Sequence, residues 1–252
     1  MSLLQVSGVS VRLGGLQILD DVSFEVPENT IVGLIGPNGA GKTTAFNVVC
    51  GFVKPTAGGV AWRGVEHKMH PHALADLGIA RTLQGVGLFE SLTVVRNVML
   101  GAFKNSRRDP MSALLGFPTV AIRDAQHRER AMELLAEFEI LDVADRFPSD
   151  LPYPIRKRIA LARALMSDPA LVMLDEPAGG ISQADIRALA TLVKNLKRRC
   201  SVLVVEHHMD FVMDVCDHIY VLDAGRIIAE GDPAAIQGNA AVRAAYLGES
   251  VA

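Results

Sequence analysis

A chain of 252 residues, half of them apolar, is long enough to bury the core of one large α/β domain, or of one such domain with a smaller inserted lobe. A formal net charge of −3 supplies no basic footprint for nucleic acid, and three scattered cysteines (Cys50, Cys200, Cys216) suit neither a disulfide framework nor a zinc site, so a reducing compartment is expected. No apolar run approaches about 18 residues and the N-terminus has no signal-peptide pattern; if a membrane matters, another chain must span it.

Residues 2–27 alternate apolar and polar side chains (Leu4, Val6, Val9, Val11, then Ile18, Leu19, Val22, Phe24, Val26). That period predicts antiparallel strands of an edge sheet, turning at Gly14-Gly15. Thr30–Ile35 reads as a short buried strand. It runs into Gly36-Pro37-Asn38-Gly39-Ala40-Gly41-Lys42-Thr43-Thr44, which fits the phosphate-loop pattern G-x-x-x-x-G-K-[ST], and then into the helical apolar spacing of 44–49. The glycines let the backbone wrap a phosphate chain, with its N–H groups and the helix N-terminus directed at negative charge. Lys42 is placed for the β- and γ-phosphates and the Thr43 hydroxyl for Mg²⁺, so a nucleoside triphosphate site is predicted.

Residues 54–59 read as a loop and Val60-Ala61-Trp62 as the start of another strand. His67, His70 and His72 lie close together, but Pro71 and polar neighbours favour an exposed loop and helix entry over a metal site, since no carboxylate or cysteine completes the spacing. Ile79–Gln84 reads as a strand ending in a glutamine. The character then changes: Ala131, Leu134, Leu135 and Phe138 make one helical face, while Pro110, Gly116 and Pro118 interrupt, so residues 85–155 read as a mainly helical insertion. Lys104, Arg107 and Arg108 read as a solvated loop rather than a lipid contact. Strands return at Leu171–Leu174 and Ser201–Val205, apolar on both faces as in a covered parallel sheet. Between them Ile186, Leu189, Leu192, Val193 and Leu196 form a helical face, and a hairpin turning at Asp223-Ala224-Gly225 closes the sheet.

Leu171–Leu174 lead into Asp175-Glu176. A carboxylate at the end of a buried strand beside a phosphate loop can hold Mg²⁺ through water, and a second one residue on can polarise a water for attack on the γ-phosphate. His207, after the next apolar strand, is placed to hydrogen-bond that phosphate.

In this order the motifs resemble the nucleotide-binding subunits of ABC transporters over nearly the whole chain. Gly36 to Thr44 match Walker A, Gln84 the Q-loop glutamine, and Leu151-Pro152-Tyr153-Pro154-Ile155 stand at the signature position. Leu171 to Glu176 match Walker B with its catalytic glutamate, Gly179 to Ser182 the D-loop, and His207 the switch histidine. The resemblance implies a P-loop NTPase core with an antiparallel edge sheet and an inserted helical subdomain: one nucleotide-binding domain over 1–252, with core 1–84 and 156–252 and subdomain 85–155. It implies ATP and Mg²⁺, the ion on Thr43, Gln84 and Asp175. Two such subunits would sandwich two ATP molecules head to tail, each phosphate loop facing the other subunit's signature, on the cytoplasmic face of a membrane. A groove near Gln84 would pass the motion to transmembrane permease chains. Ile79–Gln84, the long segment from Gln84 to Leu151, Glu206-His207-His208-Met209, Ala229–Pro233 and Ala244–Gly248 resemble the subunits that energise branched-chain amino-acid import, which work with a solute-binding protein; lipopolysaccharide-export ATPases share the tail.

Three departures stand out. The signature, often Leu-Ala-Tyr-Gly-Gln in this subfamily, carries Pro152 and Pro154, which lack the N–H groups that would face a γ-phosphate, although Pro154 suits the first turn of a helix. Leu13 stands where an aromatic usually stacks on adenine, and His208 and Ser182 replace common acids. The signature keeps a regulatory subunit with a degenerate composite site in view and favours a heterodimer with a second ABC ATPase. Export of another solute or lipid is the other alternative. A small-molecule kinase lacks an acceptor-binding element here, and an ABC protein acting on DNA or ribosomes lacks room for its coiled coil or second nucleotide domain.

Overall fold

The computed structural model describes residues 2–82, 85–105 and 118–247. The chain divides into two compact units, one of Met1–Leu77 with Met173–Ala252 and one of Gly78–Val172.

The first unit opens on strands β1 (Ser2–Leu13) and β2 (Leu16–Pro27), joined at Gly14-Gly15 as the alternation predicts. The antiparallel register pairs Leu4 with Val26, Val6 with Phe24, Val9 with Val22 and Val11 with Leu19, so one face of the hairpin is apolar and buried. Strand β3 (Ile31–Ile35) is buried at all five residues and leads through the phosphate loop into helix α1 (Lys42–Val49). Strand β4 (Ala57–Trp62) pairs with β1, and β5 (Val65–His67) with β4, which completes a four-stranded sheet in the order β2-β1-β4-β5. Beyond it the rings of His70 and His72 stack at an exposed turn, centroids 5.4 Å apart, ahead of α2 (Leu74–Leu77).

The second unit begins with β6 (Ile79–Arg81), shorter than the strand expected to reach Gln84. Leu83 and Gln84 lie outside the described residues, as do Arg107 and Arg108. Helix α3 (Val94–Met99) buries Asn97 completely. The Asn97 amide accepts from the Phe89 N–H at 2.8 Å and donates to the carbonyls of Phe89, Leu92 and Thr93, which replaces backbone pairing in the loop before the helix. Helix α4 (Pro118–Glu137) directs Ala131, Leu134 and Leu135 inward, with Phe138 just beyond, and leaves Glu133 and Glu137 exposed. A single turn at Pro148–Asp150 precedes α5 (Tyr153–Leu165).

The boundary between the units falls inside β7 (Leu171–Asp175), whose first residues lie beside β6 in the second unit. The chain then adds α6 (Gln183–Leu196), β8 (Ser201–Glu206), α7 (Met209–Val215), the hairpin β9 (His218–Asp223) and β10 (Arg226–Gly231), and helices α8 (Pro233–Gly238) and α9 (Ala240–Leu247). In the first unit the central sheet runs β10-β9-β3-β8-β7, with β3 parallel to both β8 and β9. Ile186, Leu189, Leu192, Val193 and Leu196 bury the face of α6 foreseen from their spacing. The three cysteines are buried and none is in a disulfide, and no helix among the described residues is long and apolar enough to cross a membrane.

Candidate active site

The parallel strands β3, β7 and β8 all end at one edge of the central sheet, and the residues that follow each of them form the site. After β3 the backbone turns at Gly36 (φ 154°), where a Cβ would stand 1.9 Å from the Leu222 carbonyl oxygen. At Gly41 (φ 104°) a Cβ would meet the Leu19 side chain at 2.7 Å. Only glycine lets the loop pass this close to β2 and β9. Further bonds brace the loop: the Ala40 N–H donates to the Pro37 carbonyl (3.2 Å), the Gly225 N–H to the Ala40 carbonyl (3.0 Å), and the Asp20 N–H to the Gly225 carbonyl (2.8 Å). The β9–β10 turn therefore supports the loop and is itself held by β2.

Lys42 opens α1 and is buried, its ammonium donating to the carbonyls of Gly36 (2.6 Å) and Pro37 (2.8 Å). Burial lowers its pKa from the ordinary lysine value, and the negative charges of Glu176 and Glu206 oppose that shift. A cation already stripped of water and held by two carbonyls is suited to a phosphate. The Thr43 side chain is exposed in the same turn, which carries no acid to repel an anion. Behind the loop, Tyr246 on α9 brings a buried hydroxyl toward the Gly36 backbone without closing a hydrogen bond, and burial pushes its pKa up to about 12.

At the end of β7, Asp175 is half-buried and Glu176 adopts a left-handed backbone (φ 48°). That conformation costs a non-glycine residue about 1–3 kcal/mol. It is held by the Glu176 N–H, which donates to the Val205 carbonyl at 2.8 Å and so ties this turn to β8. After β8 comes His207, whose Nδ1 lies 3.8 Å from Glu176 Oε1 and 3.5 Å from Glu206 Oε2. The site thus brings together Lys42, Glu176 and His207, three of the residues singled out from sequence. A hydroxyl on Thr43 and a carboxylate on Asp175 are hard oxygen donors of the kind Mg²⁺ takes, so the residues present fit that ion. Gln84, assigned to the same chemistry, lies outside the described residues.

Sequence reasoning did not assign Glu206 to the site. It is fully buried at the end of β8 and accepts from the N–H groups of Ala178, His207 and His208 and from the His208 ring. The available signal was a lone carboxylate closing an otherwise apolar strand.

In the second unit, Pro152 occupies the N-cap position of α5 and Pro154 lies in its first turn. The Arg156 N–H donates to the Pro152 carbonyl at 3.2 Å, so the helix starts normally, as expected for Pro154. Of the first residues only Tyr153 and Ile155 bring further N–H groups, and no side chain caps the end. Arg156, Lys157 and Arg158 follow, and the Lys157 ammonium lies 5.3 Å from the Tyr153 ring centroid. Positive charge at the positive end of a helix dipole suits an anion better than it suits the helix.

Residues 19–179 match the family model described as ABC transporter. The chain belongs to the ABC transporter family. Residues 226–252 match a second model, for the branched-chain amino acid ATP-binding cassette transporter. The chain is 38% identical to the high-affinity branched-chain amino acid transport ATP-binding protein LivG of Salmonella typhimurium, over 98% of each chain. It is 37% identical to BraF of Pseudomonas aeruginosa over the same shares. The lipopolysaccharide export ATP-binding protein LptB of Escherichia coli is 33% identical over 99% of this chain and 98% of its own. Among solved structures, the ADP conformation of the ATP-binding cassette MJ1267 superposes with a TM-score of 0.84 at 28% identity, over 99% of this chain and all of that one. As an ABC ATPase subunit the chain binds nucleotide, and the departures noted from sequence acquire structural meaning. Ser182 caps α6, its hydroxyl accepting from the Asp185 N–H at 3.3 Å and donating to the Asp185 carboxylate at 2.5 Å. His208 stands at the N-cap of α7 but turns its ring to Glu206 instead of capping the helix. Leu13 is half-exposed at the end of β1, paired with Leu16 across the turn.

Proposed function

We propose that this chain is the ATP-hydrolysing subunit of an ABC importer for branched-chain or related amino acids, peripheral on the cytoplasmic membrane face. It would work with transmembrane permease chains, a solute-binding protein and a second ABC ATPase subunit. Residues 1–84 and 156–252 serve as the catalytic core and 85–155 as the helical subdomain. The solute class rests on full-length similarity to LivG and BraF together with the tail match over 226–252.

The observation that carries the hydrolytic reading is the approach of His207 to Glu176 beside a phosphate loop whose lysine is already desolvated. The loop from Gly36 to Thr44 wraps the phosphates with backbone N–H groups, and Lys42 neutralises the β- and γ-phosphates. Mg²⁺, when bound by Thr43, Asp175 and Gln84, supplies positive charge to the phosphate oxygens. Glu176, whose carboxylate lies 3.8 Å from His207 Nδ1, polarises the attacking water. His207 hydrogen-bonds the γ-phosphate, while Gln84 couples the site to the permease.

The signature supports a second, narrower reading. Leu151 to Ile155 would complete the partner's site, and two prolines remove two N–H donors from the turn that faces that nucleotide. This chain's own Walker residues are intact, so we propose a heterodimer with unequal sites, the stronger one built on Glu176. Replacing the two catalytic glutamates by glutamine one at a time in the assembled transporter tests it. Loss of Glu176 is expected to remove nearly all hydrolysis and loss of the partner's glutamate little. Equal losses, or fast hydrolysis by this chain alone, refute the asymmetry.

A further inference from the structure

We propose that Glu206 is a positioning residue for hydrolysis: its buried carboxylate locks the segment after Glu176 and the segment carrying His207 into one rigid unit. This rests on the reading of Glu176 and His207 as the hydrolytic pair. Glu206 is fully buried and ends a strand whose other members are Ser201, Val202, Leu203, Val204 and Val205. Each oxygen has its own task. Oε1 accepts from the Ala178 N–H at 2.7 Å, two residues beyond Glu176. Oε2 accepts from the N–H groups of His207 (2.7 Å) and His208 (3.0 Å) and from His208 Nδ1 (3.0 Å).

One carboxylate thus holds the backbone on both sides of the pair, and the bond from the Glu176 N–H to the Val205 carbonyl stitches the same two strand ends a second time. Burial favours the neutral acid, but the donors from His208, His207 and Ala178 outweigh it and hold the pKa below the ordinary carboxylate value. Only an ionised carboxylate accepts four such bonds, since it has acceptors at both oxygens and no N–H or O–H of its own. Glu206, His207 and His208 also bring three metal-ligating atoms within 4.8 Å of one another. Three donors already converge on Oε2, however, so the cluster is built as a hydrogen-bonded brace and not as a cation site.

The consequence is specific to the chemical step. Phosphate binding depends on the loop from Gly36 to Thr44, which makes none of these four bonds. Displacing His207 and the Glu176 turn relative to each other impairs attack on a nucleotide that is still bound. In Glu206→Gln the amide sets its NH₂ against the Ala178 N–H in one orientation and against the three Oε2 donors in the other, so at least one bond of the brace is lost either way. In the assembled transporter, kcat for ATP is expected to fall about 10- to 100-fold, with KM within threefold and nucleotide affinity of the purified chain unchanged. His208→Ala removes one of the four bonds from a side chain that is 32% exposed, and is expected to lower kcat two- to fivefold at constant KM. His207→Ala serves as the reference. If it leaves hydrolysis intact, the assignment of the pair fails; if it abolishes hydrolysis while a folded, nucleotide-binding Glu206→Gln turns over at the parental rate, the brace is refuted. A Glu206→Gln effect confined to KM also refutes it. Should that variant not fold, the parental kcat in His208→Ala overturns the proposal and a lowered kcat at constant KM supports it.

Discussion

Restoring the signature in this chain tests the asymmetry where the structure makes it most concrete. In Pro152→Ser/Pro154→Gly, the serine occupies an N-cap that now lacks any side-chain bond, and an N–H returns to the first turn of the Tyr153–Leu165 helix. For the fold the two changes nearly cancel: a serine cap contributes about 1 kcal/mol, and a glycine within the first turn costs a similar amount. For the bound phosphate they add, because each restored charge-assisted bond contributes about 1.5–3 kcal/mol. If half of the lower figure survives geometric mismatch at each donor, the composite site gains roughly 1.5 kcal/mol over both, about tenfold in rate, and full recovery of about 3–6 kcal/mol gives roughly 10²- to 10⁴-fold. The assay is single-turnover hydrolysis of bound ATP by the assembled transporter carrying Glu176→Gln, which silences the site built on this chain's Walker motifs and reports the opposite one even while the dimer stays closed. The double substitution is expected to raise that residual rate at least tenfold with the melting temperature within a few degrees. An unchanged residual rate refutes the reasoning, and would assign the anion contact to the run Arg156-Lys157-Arg158 instead.

Lys42→Ala is expected to weaken nucleotide binding by the purified chain about a hundredfold, since roughly 3 kcal/mol of phosphate interaction is lost, while its melting temperature moves little because the ammonium is disfavoured by burial; affinity within a few-fold of the parent contradicts this. Glu176→Gln should preserve nucleotide binding and trap an ATP-closed dimer with its partner, and hydrolysis at the parental rate would show that Glu176 is not the polarising base. Ser182→Ala removes the cap of the Gln183–Leu196 helix and should cost about 1 kcal/mol, a drop of roughly 2–4 °C in thermal melting, without changing nucleotide affinity. Acid unfolding reports on Glu206. Its folded pKa lies below the ordinary 4.5, so its bonds contribute fully above that value and the contribution is lost as pH falls through the folded pKa. Equilibrium stability should therefore fall as pH drops below about 4.5, and Glu206→Gln should flatten that limb; identical acid slopes in the two proteins contradict the assignment.

Much of this protein is written locally in its sequence. The alternation through residues 2–27 gives a hairpin, because a period of two leaves only one way to bury Val6, Val9, Val11 and their partners on one face. The phosphate loop is legible because its glycine and lysine spacing falls within one strand–loop–helix stretch of the chain, although the contacts that demand glycine at Gly36 and Gly41 come from β9 and β2; the α6 and α4 faces follow from 3.6-residue spacing alone. Boundaries were less legible: the strand expected to reach Gln84 stops at Arg81, since its end depends on neighbours and not on its own residues. The tertiary structure alone decided how Glu176 and His207 meet. Thirty-one positions separate them in the chain, and their 3.8 Å approach follows from two strands ending side by side, a left-handed turn at Glu176 and the bond from its N–H to Val205. Glu206 belongs to the same class: in the sequence it is one acid after five strand residues, and only the convergence of donors from Ala178, His207 and His208 explains why a charge can be buried there. Periodicity reports which face of an element is covered; which polar groups meet beneath that cover is set by the packing of elements distant in the chain.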